Sequence, residues 1–344
     1  MMGRLVPVRS FALVALLVVA ANPLVNAKTA TAPTSWPLGT FTVESGHPRC
    51  LTGYTCTQFA ISGCSNVSAV AEGVVAEAAP PPSQPVRGLV ALFSGEEGST
   101  WWSAAPSASR FLSKLRSRDG FVVVQVKWLD SWLQAPRGED DGSAHLGCRP
   151  ATAIDWIHQD LYVPLGITPG PGQCGFCVTG NSGGASQVSY ALSHYGLDGI
   201  LNGVFPTSGP PHAAQVKGCL PGSPGYLYEG SEVERIDLSY GFDDNHGDRG
   251  PCMLSDPSWT PRWQVESIDT GANDTSYPST RIEFVIGADD TSSAVAHARD
   301  FRDLLEQDGS NDVTWTVVQG MGHSIQVSSS GLAALEAALL GTST

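Results

Sequence analysis

Beyond residue 88 the chain alternates between short, almost purely apolar runs and segments whose apolar residues recur every three or four positions. The runs at 88–93, 121–128 and 175–179 are short for helices and too apolar for half-exposed strands, so they predict strands buried on both faces. Further strands are predicted around 199–205, 281–286 and 312–318. Helical periods fall between them: at 108–118, ended by Asp119-Gly120; at 152–161, with Ile154, Ile157 and Leu161 on one face; and at 293–307 and 331–340. Residues 130–148 read as a loop, and 212–278, punctuated by Gly and Pro, as an irregular insertion. Strand-like pieces at 41–44, 58–61 and 70–79 come first, the last closed by Pro80-Pro81-Pro82. Alternating strands and helices predict an α/β domain, a mostly parallel sheet with helices on both faces. Ligands of such sheets bind beyond the carboxyl ends of the strands.

The run at 175–179 leads into Gly180-Asn181-Ser182-Gly183-Gly184, and Val188, Ala191, Leu192 and Tyr195 then mark a helix that Gly196 is placed to stop. A strand that turns sharply into a helix brings backbone against backbone, so small residues are needed two before and two after the turning residue. Gly180 and Gly184 meet that need, leaving the Ser182 hydroxyl above the sheet with the Gly183 N–H beside it to receive a developing oxyanion. The same run is similar to the Gly-Asp-Ser-Gly-Gly-Pro signature of trypsin-like peptidases, with Ser143-Ala144-His145 in place of their histidine. Asn181 and Ala185 replace the Asp and Pro of that signature, and helical periodicity follows where that family is built of strands.

A serine hydroxyl needs a base within hydrogen-bond reach, itself oriented by a carboxylate. Among eight histidines, His323 follows the strand at 312–318 in the Gly-rich loop Gly320-Met321-Gly322-His323-Ser324, whereas His194 and His297 fall inside predicted helices. The strand at 282–286 leads into Gly287-Ala288-Asp289-Asp290-Thr291. One of the two aspartates is expected to orient His323; Asp290 is favoured, leaving Asp289 to cap the next helix.

Serine, acid and histidine in this chain order, on strand ends of an alternating chain, resemble the α/β-hydrolase superfamily. The likeness runs from about residue 70 to 340 and rests on residues 180–184, 287–290 and 322–323. It implies an α/β-hydrolase fold, a triad of Ser182, Asp290 and His323, and a second oxyanion-hole N–H in the loop Ser94-Gly95-Glu96-Glu97-Gly98, supplied by position by Glu96 beside Gly183. The family often carries glycines there; carboxylates aimed inward would oppose an oxyanion, so the two glutamates are expected to point away. The resemblance also makes residues 212–278 a cap-like insertion ahead of the acid-bearing strand. It implies a serine esterase working through an acyl-enzyme, with no metal or organic cofactor. A serine peptidase or amidase on the same fold and a non-catalytic binding protein remain alternatives.

Trp101 and Trp102 follow the loop at 94–98, and Trp128 and Trp132 follow the next strand. Trp101, Trp102 and Trp132 are therefore candidate substrate-binding residues, suited to acyl chains, aromatic acids or sugar faces, unless they merely pack the loops.

With 344 residues, 42% hydrophobic and 15% charged, the chain can bury one large core. A net charge of −14 supplies no basic face for phosphates, which argues against nucleic-acid binding. Arg4 and Arg9 precede an apolar run of 11 residues from Phe11 to Ala21, and Val25-Asn26-Ala27 fits a signal-peptidase site, so residues 1–27 are expected to be a signal peptide. That run is shorter than the roughly 20 residues that span a bilayer, and a secreted protein without stable membrane insertion is expected, acting on a small-molecule or polymer-borne ester. All eight cysteines lie beyond residue 27, compatible with four disulfides, among them a Cys219–Cys252 pair. Cys174-x-x-Cys177 lacks the second pair of a metal site and is expected to be structural. Asn66 and Asn273 are candidate glycosylation acceptors. The run from Asp243 to Asp248 lacks the spacing of a calcium loop and reads as a solvated turn.

Overall fold

The computed structural model describes residues 35–46, 49–170, 172–243, 246–310 and 312–342; the expected signal peptide lies outside them. The apolar runs form strands β1 (Thr40–Glu44), β2 (Thr55–Ser62), β3 (Ala71–Ala78), β4 (Gly88–Phe93), β5 (Phe121–Trp128), β6 (Phe176–Asn181), β7 (Gly203–Thr207), β8 (Arg281–Gly287) and β9 (Val313–Val318). All nine join one sheet in the order β1-β2-β3-β5-β4-β6-β7-β8-β9. β1 to β3 run antiparallel and β3 meets β5 antiparallel, while β5, β4, β6, β7, β8 and β9 pair in parallel.

Side-chain alternation divides the core between the two faces of this sheet. Leu89, Ala91 and Phe93 of β4 pack with Val122, Val124 and Val126 of β5 on one face, beneath α3 (Cys148–Trp156), α4 (Gly183–Ser193) and α8 (Ala294–Gln307). Val90, Leu92, Phe121 and Val123 face the other way, toward Phe111, Leu112 and Leu115 of α1 (Pro106–Ser117) and Leu332, Leu335 and Leu339 of α9 (Ser329–Leu340). Burial on both faces is why the strands read as unbroken apolar runs.

The segment 130–148 is not simply a loop. It holds the short helix α2 (Ser143–Leu146), and α3 begins at Cys148 rather than 152, running on through a wider turn at Ile157–Tyr162. The signal for α2 is not local. Its first amides are held by the buried Glu266 carboxylate, which accepts the Ala144 N–H at 2.7 Å and that of His145 at 3.4 Å, and bonds the His145 ring at 2.9 Å. His145, the trypsin-like alternative, is thereby tied into the scaffold.

Disulfides join Cys50–Cys56, Cys64–Cys148, Cys174–Cys177 and Cys219–Cys252. Cys219–Cys252 links the two sides of the irregular insertion, where α5 (Gln215–Cys219), α6 (Ser231–Ser239) and α7 (Thr260–Glu266) gather Tyr228, Ile236, Tyr240 and Trp263 into a small core of their own. Cys64–Cys148 clamps the end of β2 to α3 across 84 positions. Closing a loop of that length removes chain entropy from the unfolded state worth about 4 kcal/mol. Replacing Cys64 and Cys148 together by serine is expected to lower Tm by several degrees in a thermal melt; an unchanged Tm would show that this bridge contributes no stability.

Among the described residues no helix is long and apolar enough to cross a membrane. In the acidic run after Asp243, that residue bonds His246 at 2.6 Å and Asp248 pairs with Arg137 at 2.5 Å; residues 244–245 lie outside the described set.

Candidate active site

Ser182 stands between β6 and α4 with φ 54° and ψ −119°, a conformation L-residues rarely adopt. The turn is crowded by backbone: a Cβ on Gly180 would lie 2.1 Å from the Gly184 carbonyl oxygen, and one on Gly184 would lie 2.2 Å from that of Phe93. Only glycine allows the strand to fold back on the helix at this pitch. The result is a serine at the carboxyl end of β6, with Gly183 as the first residue of α4, so that its N–H has no acceptor within the helix.

Glu96 packs against Gly183: a Cβ there would lie 2.3 Å from the Glu96 carbonyl oxygen and 3.0 Å from its nitrogen, and Glu96 itself holds φ 54°. Its loop is fastened from several sides. Ser94 Oγ donates to the Thr100 carbonyl at 2.7 Å, Trp132 Nε1 donates to the Glu96 carbonyl at 3.2 Å, and the Trp128 and Trp132 backbone N–H groups donate to Gly98 and Glu97 at 3.0 and 3.1 Å. The peptide that carries the Glu96 N–H is held through its other end, where the Gly95 carbonyl accepts the Gly98 N–H at 3.0 Å.

Glu96 borders the cavity above Ser182 with its side chain 69% exposed; Arg235 of α6 lies 3.4 Å from its carboxylate and also bonds Glu97 at 3.0 Å. A paired carboxylate opposes an oxyanion far less than a bare one, which is how the loop accommodates glutamate where glycine was anticipated.

His323 follows β9, and its Nδ1 bonds Asp290 Oδ2 at 3.0 Å. Asp290 is fixed in turn by Ser292, whose N–H and Oγ–H both donate to Oδ1, at 3.0 and 2.7 Å. Ser292 Oγ also lies 3.1 Å from His323 Nδ1. Asp289 is exposed, and α8 starts after Ser293 without a side-chain cap, so the expected capping role of Asp289 is not realised. Burial works against the carboxylate of Asp290, but the bonds from His323 and Ser292 outweigh it and hold its pKa below the usual value. Burial also works against a charged His323. There the hydrogen bond and charge of Asp290, with the charges of Glu232 and Glu96, prevail and raise the imidazole pKa.

Two polar residues of this arrangement have no signal in the motif itself. Ser292 anchors the acid, and Asn181 anchors the histidine loop, accepting the Ile325 N–H at 3.2 Å and the Thr207 hydroxyl at 3.3 Å. Asn181 thus ties the strand that carries Ser182 to the loop that carries His323.

Ser182 and His323 open on one cavity of about 770 Å³, bordered by Trp101 and the insertion residues Leu227, Glu232 and Arg235; Trp102 lies behind its surface, 1% exposed and packed on Phe111. Trp132 is not on that wall, nor is Trp128. Both are fully buried behind the loop at 94–98, Trp128 donating to Gln187 of α4 at 2.9 Å, and their work is to hold the loop.

No protein-family model matches the chain, and no curated protein matches it. Among solved structures it is similar to Est1E from Butyrivibrio proteoclasticus, at 13% identity over 84% of this chain and 96% of that one, with a TM-score of 0.49. It is also similar to carboxyl esterase 2 from Tuber melanosporum, at 13% identity over 86% and 87% of the two chains, TM-score 0.47. An acylaminoacyl peptidase from Pyrococcus horikoshii matches at 10% identity over 83% of this chain and 40% of that one, TM-score 0.46. Likeness at these levels assigns neither activity nor substrate. The strand order, with antiparallel strands leading into a parallel sheet and the serine turn following a central strand, is that of the α/β-hydrolase fold, and this chain has that fold.

Proposed function

We propose that this protein is a serine hydrolase that cleaves carboxylic esters through an acyl-enzyme. The observation that carries the reading is the bond between His323 Nδ1 and Asp290, together with Ser182 and His323 opening on one cavity. Ser182 Oγ attacks the ester carbonyl while His323 Nε2 takes its proton. The carbonyl oxygen, now negative, is received by the N–H groups of Gly183 and Glu96. His323 then protonates the departing alcohol, and water repeats the cycle on the acyl-enzyme. Asp290 keeps the proton of neutral His323 on Nδ1 and stabilises the imidazolium that forms. Residues 212–278 act as a cap: α6 and the segment before it bring Leu227, Glu232 and Arg235 to the cavity. Four disulfides are compatible with an exported protein.

The test is hydrolysis of matched p-nitrophenyl esters and p-nitroanilides by purified protein. Esters turned over at least tenfold faster agree with the proposal, whereas faster anilide cleavage would assign the site to peptides or amides. The same assay reads the environment of His323. Catalysis needs its neutral form, and its pKa lies above 6.5, so kcat/KM should rise with pH through a midpoint above 6.5. Glu232→Gln removes one of the charges favouring the imidazolium and should move the midpoint to lower pH. A midpoint that stays in place would remove Glu232 from this account.

A further inference from the structure

Glu232 and Arg235 stand three apart on α6, so one face of that helix carries both, and both border the active-site cavity. From this face the two side chains reach different loops. Arg235 takes the loop that holds the Glu96 N–H: its Nε donates to the Glu97 carboxylate at 3.0 Å, and Nη2 lies 3.4 Å from that of Glu96. Nη1 donates to Ser231 Oγ at 3.1 Å, which braces the guanidinium against its own helix. Glu232 takes the loop that follows β8. Its Oε2 accepts the Ser293 hydroxyl at 2.9 Å, next to the Ser292 that fixes Asp290.

Two comparisons show which member of the first group holds the others. The Arg235 side chain is 17% exposed, against 69% for Glu96 and 30% for Glu97, so the cation is the sheltered partner and the carboxylates come to it. Among the described residues that border the cavity, Arg235 is also the one lysine or arginine, beside the carboxylates of Glu96, Glu229 and Glu232. The backbone of the loop at 94–98 is held by Trp128 and Trp132, but those bonds leave its two carboxylates unrestrained. A free carboxylate next to a developing oxyanion raises the barrier to forming it.

We propose that Arg235 is a positioning residue for the oxyanion hole: it restrains the carboxylates of Glu96 and Glu97, so that the Glu96 N–H meets the oxyanion without a free negative charge beside it. The inference rests on the serine-hydrolase reading above and adds to it a task for the insertion. Because Arg235 comes from α6, and Glu232 ties the same helix face to the acid loop, the site is complete only when the insertion is docked.

The experiment compares Arg235→Ala in the wild-type protein and in a Glu96→Gln, Glu97→Gln background. It reads kcat and KM on p-nitrophenyl acetate, the Ki of a trifluoromethyl ketone that adds to Ser182 as an oxyanion, and the pH profile. In the wild-type protein kcat should fall about thirtyfold with KM within about twofold, and the ketone should weaken by a similar factor. His323 faces the carboxylates of Asp290, Glu232 and Glu96, so leaving Glu96 unpaired favours the imidazolium and should move the kcat/KM midpoint to higher pH. In the Gln background the same substitution should cost less than about twofold, since no carboxylate remains to be restrained. An Arg235→Ala protein that melts normally and keeps its kcat, that loses only KM, or that loses as much in the Gln background, would overturn the proposal and leave the hydrolase reading intact. If Arg235→Ala fails to fold, Arg235→Lys decides by the same comparison. A point charge cannot hold both carboxylates as the guanidinium fork does, so lysine should lose about fivefold in kcat in the wild-type protein and nothing in the Gln background. Absence of turnover by the wild-type protein would overturn the hydrolase reading and this one with it.

Discussion

Replacing Ser182 by alanine is expected to lower kcat on p-nitrophenyl acetate about 10⁶-fold while leaving the melting temperature within about two degrees of wild type. The size of the first effect follows from how the site divides its labour. Without the hydroxyl no acyl-enzyme forms, and what survives is the modest rate supplied by binding and the oxyanion amides, as in other serine enzymes stripped of their nucleophile. The absence of the second follows from the turn. Ser182 holds positive φ because Gly180 and Gly184 let the backbones meet, and alanine carries the same Cβ in the same strained conformation. A loss of only a few-fold would mean that another group performs the attack.

The second large effect separates two adjacent aspartates. Asp290→Asn is expected to lower kcat about 10⁴-fold and Asp289→Asn less than twofold. The reason lies in Ser292. Its N–H and O–H both donate to Oδ1 of Asp290, so an asparagine here turns its carbonyl oxygen toward Ser292 and presents its NH₂ to His323. That forces the imidazole to accept at Nδ1 and to carry its proton on Nε2, the tautomer that cannot take the proton of Ser182. Asp289 is exposed and its loss removes no contact to His323. Equal losses in the two variants would contradict this assignment of the acid.

What was legible in the sequence depended on whether the cause was local. β4, β5 and β6 are buried on both faces and read as apolar runs; α1 and α8 bury one face and read as helical periods. The serine turn was legible because close backbone approach demands glycine at defined positions. α2 was not, since its first turn is organised by Glu266, more than a hundred positions later, and polarity alone suggested a loop. The tryptophans show the same limit. Spacing could place four of them near the site but could not distinguish Trp101, partly exposed on the cavity wall, from the buried Trp102, Trp128 and Trp132, because that depends on which face of a turn each indole takes. Glu96 was judged by its charge alone, and its partner Arg235 comes from a helix of the insertion whose docking no periodicity records. Ser292 and Asn181 act by single hydrogen bonds, and serine and asparagine in turns are too common to stand out.

The central claim is that Ser182 is an activated nucleophile. It is tested most directly by incubating the purified protein with a fluorophosphonate at pH 8 and mapping the adduct by mass spectrometry. The account predicts one phosphonyl group per chain, on the peptide containing Ser182, with labelling slowed at least a thousandfold in His323→Ala. A protein that melts cooperatively yet takes up no label, or takes it up on another residue, would contradict it.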